Sequence, residues 1–204
     1  MMPTREEIAR GVTGAWLLFR FDRAGMWQFD LSIRGFWRSF WAPALMLPLY
    51  AVLIAASQVA IRDDTATTVE DGVLAAQQGD VVMPVVARCL AFALAFMLWP
   101  LVAAAIARAF NLTASYVPYI IAYNWATVIS LLLQVPASLL IIATGDAPSF
   151  APLALWFATQ IIVFGYQFLI ARIAFAAPAG LAAALVMLDL LLALGVDYAA
   201  EWAL

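Results

Sequence analysis

The chain has 204 residues, of which 67% are hydrophobic and 11% charged, with a formal net charge of −3. A soluble domain carries roughly 25% charged residues, so a chain this apolar cannot cover itself with polar surface and needs lipid as its solvent. All ten basic residues are arginine and there is no histidine, which excludes a histidine-ligated metal site and a histidine proton relay.

The start, MMPTREEIARGVTG, has acids at Glu6 and Glu7 and no early apolar run with a small-residue cleavage site. It does not read as a secretory signal, and the first span is expected to act as an uncleaved anchor. Over residues 4–19 Thr4 and Glu7 form a T-x-x-E capping box, which satisfies the orphan amides of a helix start. Ile8, Val12, Trp16 and Phe19 recur at helical spacing as an apolar stripe. Too short and too charged to cross a bilayer, this segment is expected among the headgroups or packed under the bundle.

Residues 20–41, RFDRAGMWQFDLSIRGFWRSFW, interleave arginines with Phe and Trp rings. Such a mixture at the edge of an apolar span is what a cytoplasmic membrane interface selects, with rings among headgroups and guanidiniums on lipid phosphates. Arg34, Arg38, Trp37 and Trp41 are the candidate headgroup contacts, Arg34 and Arg38 being four apart on one helix face. Basic and aromatic residues also serve single-stranded nucleic acid, but the adjoining span argues for lipid, anionic lipid in particular, and against nucleic acid.

Five apolar segments follow, at about 36–60, 84–110, 115–144, 150–175 and 179–202. The fold expected is an all-α, polytopic membrane bundle over residues 35–204, preceded by an interfacial N-terminal segment, 1–34. Pro43 and Pro48 should bend the start of the first span, and Pro100 should kink the second. Between these two spans lies an acidic connection with a short surface helix over 69–78; its acids lack the alternating spacing of a calcium loop. Cys89 sits in an apolar run and reads as a small packing residue. With the N-terminus inside, Arg5, Arg10, Arg20, Arg23, Arg34, Arg38, Arg108 and Arg172 fall on the cytoplasmic side and only Arg62 and Arg88 outside. That bias obeys the positive-inside rule and puts the C-terminus outside. The lysine-free, alanine- and arginine-rich style points to a high-GC bacterium, hence to an inner membrane.

A few polar residues fall within the spans. Asp189 costs roughly 2.5–3.5 kcal/mol at a helix centre and must face the bundle, either paired or protonated. Counting about 1.5 Å per residue places Asn124, Gln160 and Asp189 in one layer near the midplane with Arg88 slightly above it. These four are the candidate polar network, serving either to fix helix register or to bind a proton or cation. Tyr116, Tyr119 and Tyr123 share one face and read as an interfacial aromatic stripe. No nucleophile–base pair, P-loop, HExxH or CxxC is visible, so no catalysis, cofactor or metal is expected.

The layout resembles the Yip-domain (Ypt-interacting-protein-like) family, bacterial type. The shared features are a cytoplasmic N-terminal segment, five closely packed spans and a short outer C-terminus. The stretch Phe110–Val128, FNLTASYVPYIIAYNWATV, is similar to that family's polar turn followed by an aromatic, small-residue-rich helix. The resemblance covers about residues 35–200 and implies membrane organisation or scaffolding, without carrying a role to any residue. A small transporter or channel subunit built around Asp189 is the alternative, and an accessory subunit of a larger complex, or a homo-oligomer, a third. A water-accessible cavity reaching Asp189 favours transport; a dry, fully packed bundle favours the scaffold.

Overall fold

The structure, a computed structural model, describes residues 2–65, 82–144 and 150–202. Its elements are α1 (Arg5–Phe19), a 3-10 turn (Arg23–Gln28), α2 (Ile33–Ser39), α3 (Trp41–Thr65), α4 (Val82–Ala109), α5 (Thr113–Thr144), α6 (Phe150–Ile173) and α7 (Ala179–Trp202). Five helical stretches are long and apolar enough to cross a membrane: Ile33–Val59, formed by α2 and α3 together, then α4, α5, α6 and the Ala179–Ala199 part of α7. The short helix expected over 69–78, with Glu70, Asp71 and Asp80, lies outside the described residues, as does Asp146.

The longest helix, α5, is the hub. It packs against α1, α2, α3, α4 and α6, while α7 leans on α4 and α6. Ala122 and Ala126, one turn apart on α5, are almost fully buried and let neighbouring backbones approach closely, the packing device that serves where lipid removes any hydrophobic drive between helices. Around them Trp99, Ile120, Ile121, Trp125, Ile170 and Phe175 make the core.

The first span starts in two pieces rather than one bent helix. Helix α2 stops at Ser39, and α3 begins at Trp41. Pro43 has no N–H for the Ser39 carbonyl, and its ring clashes with that carbonyl in a continuous helix, so the chain breaks at Phe40. Helix α3 then runs through Pro48 to Thr65, past the expected end at residue 60, and α4 runs unbroken through Pro100. The break puts Ser39 to use: its hydroxyl donates to the Phe36 carbonyl at 2.7 Å and accepts from Nδ2 of Asn124 at 2.8 Å. Both residues are fully buried. Asn124 therefore pins the start of the first span to the hub and is not a partner of Asp189.

Helix α1 is packed into the bundle, with a buried face different from the one expected. Both halves of the capping box form, Thr4 N–H to Glu7 at 2.7 Å and Glu7 N–H to the Thr4 hydroxyl at 3.2 Å. The residues buried are Gly11, Gly14, Ala15 and Leu18. Ile8, Val12 and Phe19 flank that face, and Trp16 is 46% exposed, stacked on Phe19 at 5.5 Å. Close approach decides the orientation: a Cβ on Gly11 would lie 2.3 Å from the Trp125 ring, and one on Gly14 would lie 2.8 Å from the Gly25 carbonyl. The Tyr166 hydroxyl of α6 donates to the Ala15 carbonyl at 2.6 Å. An ion pair between Glu7 and Arg38 ties α1 to α2, so Arg38 is engaged within the protein rather than free for a headgroup. Arg34 is exposed, Trp37 exposed and Trp41 half-buried.

Two outcomes follow from this docking. Gly11→Leu drives a side chain into the buried Trp125 ring, an overpacking that costs about 1–3 kcal/mol; a lower melting temperature and faster tryptic cleavage at Arg20 are expected in detergent. The second concerns Glu7, whose carboxyl is held below its ordinary 4.5 by the Thr4 amide first and by Arg38. A depressed carboxyl contributes stability that is present above its unfolded value and lost as pH falls through the folded one. The protection of α1 amides relative to their intrinsic exchange rates should fall as pH drops below the ordinary value, and Glu7→Gln should be loosened already at neutral pH and respond less to acid.

Candidate functional site

The hub helix carries a polar stripe. Tyr123, Thr127, Ser130, Gln134 and Ser138 follow one another by steps of four, three, four and four, the spacing that stacks side chains on one helical face. Two of them bond back to their own helix, Thr127 to the Tyr123 carbonyl at 3.1 Å and Gln134 to the Ser130 carbonyl at 3.3 Å. Such back-bonding satisfies polar groups within lipid depth without a partner helix.

The stripe begins at Asp189. The Tyr123 hydroxyl lies 2.8 and 2.9 Å from the two carboxylate oxygens, its one proton shared between them. Gln167 of α6 donates to the same carboxylate at 3.2 Å. Asp189 thus links α5, α6 and α7. Its partners are not those the sequence reading grouped with it. Asn124 bonds to Ser39. Gln160, half-buried, sits about two turns along α6 from Gln167, roughly 10 Å away. Arg88 lies 3.9 Å from Asp197, eight residues beyond Asp189 on α7. Asn124, next to Tyr123 in the chain, is turned to another face of α5, whereas Arg88 is separated from Asp189 by level. Short turns join α4 to α5 and α6 to α7, so helices are aligned at the end where α1 docks. Counted from that end, Tyr123 and Asp189 are each ten residues into their helices, whereas the far ends are staggered by unequal helix lengths.

Asp189 faces a cavity of about 260 Å³ between α3, α4, α5, α6 and α7. The polar stripe forms one side of it, with Thr127, Ser130 and Gln134, and Gln167 adds a second amide. A further cavity of about 240 Å³ adjoins it, sharing Tyr50, Leu131 and Gln134, and continues to Ser57, Ser138 and Trp156 toward the end of the bundle opposite α1. On the other side of Asp189 the space closes. Trp99, Tyr119, Tyr123 and Leu185 pack too tightly to hold water there. Tyr119 stacks on Phe175 at 4.5 Å, and Tyr123 lies 5.7 Å from Trp99 and 6.0 Å from Tyr119. Tyr119 and Trp99 are 3% and 1% exposed, so Tyr119 and Tyr123, read as part of an interfacial stripe, instead belong to a buried aromatic plug, while Tyr116 stays half-buried with its hydroxyl donating to the Pro100 carbonyl at 3.1 Å. Asp189 stands at the boundary between the open half of the bundle and this plug.

Sequence reasoning found Asp189 but missed Tyr123 and Gln167 as its partners and the whole line from Thr127 to Ser138. The signal was available in the three-and-four spacing of polar residues along an otherwise apolar helix. Compared with models of known protein families, with curated proteins and with solved structures, the chain matches none.

The continuity of the two cavities predicts graded access. In a Cys89→Ala background, single cysteines at Ser138, Gln134 and Thr127 should react with a membrane-impermeant methanethiosulfonate in that declining order. A cysteine at Tyr119, inside the plug, should stay unreactive. Equal silence at Ser138 and Gln134 would show that the cavity is sealed.

Proposed function

We propose that this multi-pass membrane protein is a small transporter or channel subunit of a bacterial inner membrane, acting without catalysis. Its N-terminus is cytoplasmic, its C-terminus periplasmic, and Asp189 is its binding group. The observation that carries the reading is the cavity that reaches the Asp189 carboxylate along the polar stripe of α5. A carboxylate at membrane depth is costly, and a purely structural one has no need of a hydrophilic approach. The arginine distribution supports the orientation, and under it the cavity faces outward while the Trp99–Tyr119–Phe175 plug closes the cytoplasmic side.

The Yip-like, membrane-organising reading keeps one support. That resemblance implies five closely packed spans behind a cytoplasmic N-terminal segment, and the half of the bundle around Trp125 and Ile170 is tightly packed. It gives no role to the cavity or to the alignment of Thr127, Ser130 and Gln134, and we rank it second.

The deciding measurement is carboxylate infrared spectroscopy of the protein in nanodiscs, in light and heavy water. A carboxyl band that titrates, shifts on deuteration and disappears in Asp189→Asn is the expected result. A silent band that does not exchange would sink the transport reading and return the protein to the scaffold class.

A further inference from the structure

The Asp189 cavity is lined by two kinds of chemistry. One is a continuous row of rings from α3, α4 and α5. Tyr50 stacks on Phe92 at 4.9 Å, Phe92 lies 6.4 Å from Phe96, and Phe96 lies 6.3 Å from Tyr123. The row ends at the carboxylate, because Tyr123 is the residue that donates to Asp189. Beyond Tyr123 on the same face of α5 the lining offers the hydroxyl of Thr127 and the amide of Gln134, and α6 adds the amide of Gln167. Among the described residues, none lining the cavity is a lysine or arginine, and Arg88, close to Tyr50, has Asp197 3.9 Å away.

This combination selects among ligands. Ring faces carry negative electrostatic potential and attract cations, more strongly where water is excluded. The carboxylate adds a full negative charge at the end of the row. Anions find no positive partner in the lining. A bare divalent cation asks for six or more oxygen ligands, and here a single carboxylate is already engaged by Tyr123 and Gln167. A positive charge with an apolar skin meets both the acid and the rings. The part of the cavity that lies between the rings and Asp189, about 260 Å³, has room for a small molecule.

We propose that the cavity binds a small organic ammonium ion, its charge at Asp189 and its alkyl groups against Tyr50, Phe92 and Phe96. The biological meaning of such binding rests on the transport reading above, but the binding itself is tested separately. Titration calorimetry on the nanodisc-embedded protein, with choline as the probe and its neutral carbon isostere 3,3-dimethyl-1-butanol as the control, reads it directly. Choline should bind and the isostere should not. Phe92→Leu, which removes a ring and leaves the Asp189 hydrogen bonds in place, should weaken choline roughly tenfold. Asp189→Asn should abolish detectable binding, with a thermal melt confirming that the variant is folded. Equal binding of choline and the isostere would overturn the proposal by showing that the cavity recognises shape alone. Absence of choline binding in a protein whose Asp189 exchanges with heavy water would overturn it while leaving transport standing. Absence of both choline binding and exchange would overturn both.

Discussion

The Tyr123–Asp189 hydrogen bond is the interaction on which the arrangement of the far half of the bundle depends. Helix α7 leans on α4 and α6, and its contact with the hub is made by a side chain reaching across. Within lipid depth a carboxylate without partners is far more costly than one held by two donors. Tyr123 and Gln167 therefore fix the height and rotation of α7 relative to α5 and α6. The gap they span is also what makes the cavity. Had the α7 residue at this position been leucine, direct packing of α7 on α5 would have been the cheaper arrangement.

The bundle is accordingly built in two manners. Where α1 docks, small residues govern: Gly11, Gly14, Ala15, Ala122 and Ala126 allow backbones to meet, and large rings such as Trp125 and Phe175 fill what remains. Toward the opposite end the hub presents hydroxyls and amides in place of alanines, and the helices stand apart. Asp189 lies where one manner gives way to the other, with the aromatic plug at its back.

Much of this architecture was legible in the sequence. Hydropathy and length suffice to mark five spans, because a stretch such as Thr113–Thr144 has no stable alternative to a membrane helix. The capping box at Thr4 and Glu7 was legible for a similar reason: both partners are three residues apart. What escaped were choices made by tertiary contact. The buried face of α1 follows the least bulky residues because Trp125 and the Gly25 carbonyl demand space, and hydrophobicity alone ranks Trp16 above Gly11. The acid Asp189 was evident as an expensive residue, but its partners depend on how the helices are levelled. The depth count pointed to Gln160, whereas the α6 residue whose side chain reaches Asp189 is Gln167. Arg38, expected at a lipid headgroup, is paired with Glu7, and Arg88, grouped with Asp189, lies beside Asp197 instead.

The docking of α1 also sets an order of events during synthesis. Glu7 meets Arg38 across 31 residues, so that link is available as soon as α2 has emerged. The Tyr166 hydroxyl that donates to the Ala15 carbonyl lies 151 residues further along the chain, and Trp125 is made only once the third span is under way. Helix α1 can thus reach its final place only after α5 and much of α6 have been made. Until then α1 has only its neighbours in the chain, the 3-10 turn whose Gly25 carbonyl meets Gly14 and the Arg38 of α2 that pairs with Glu7.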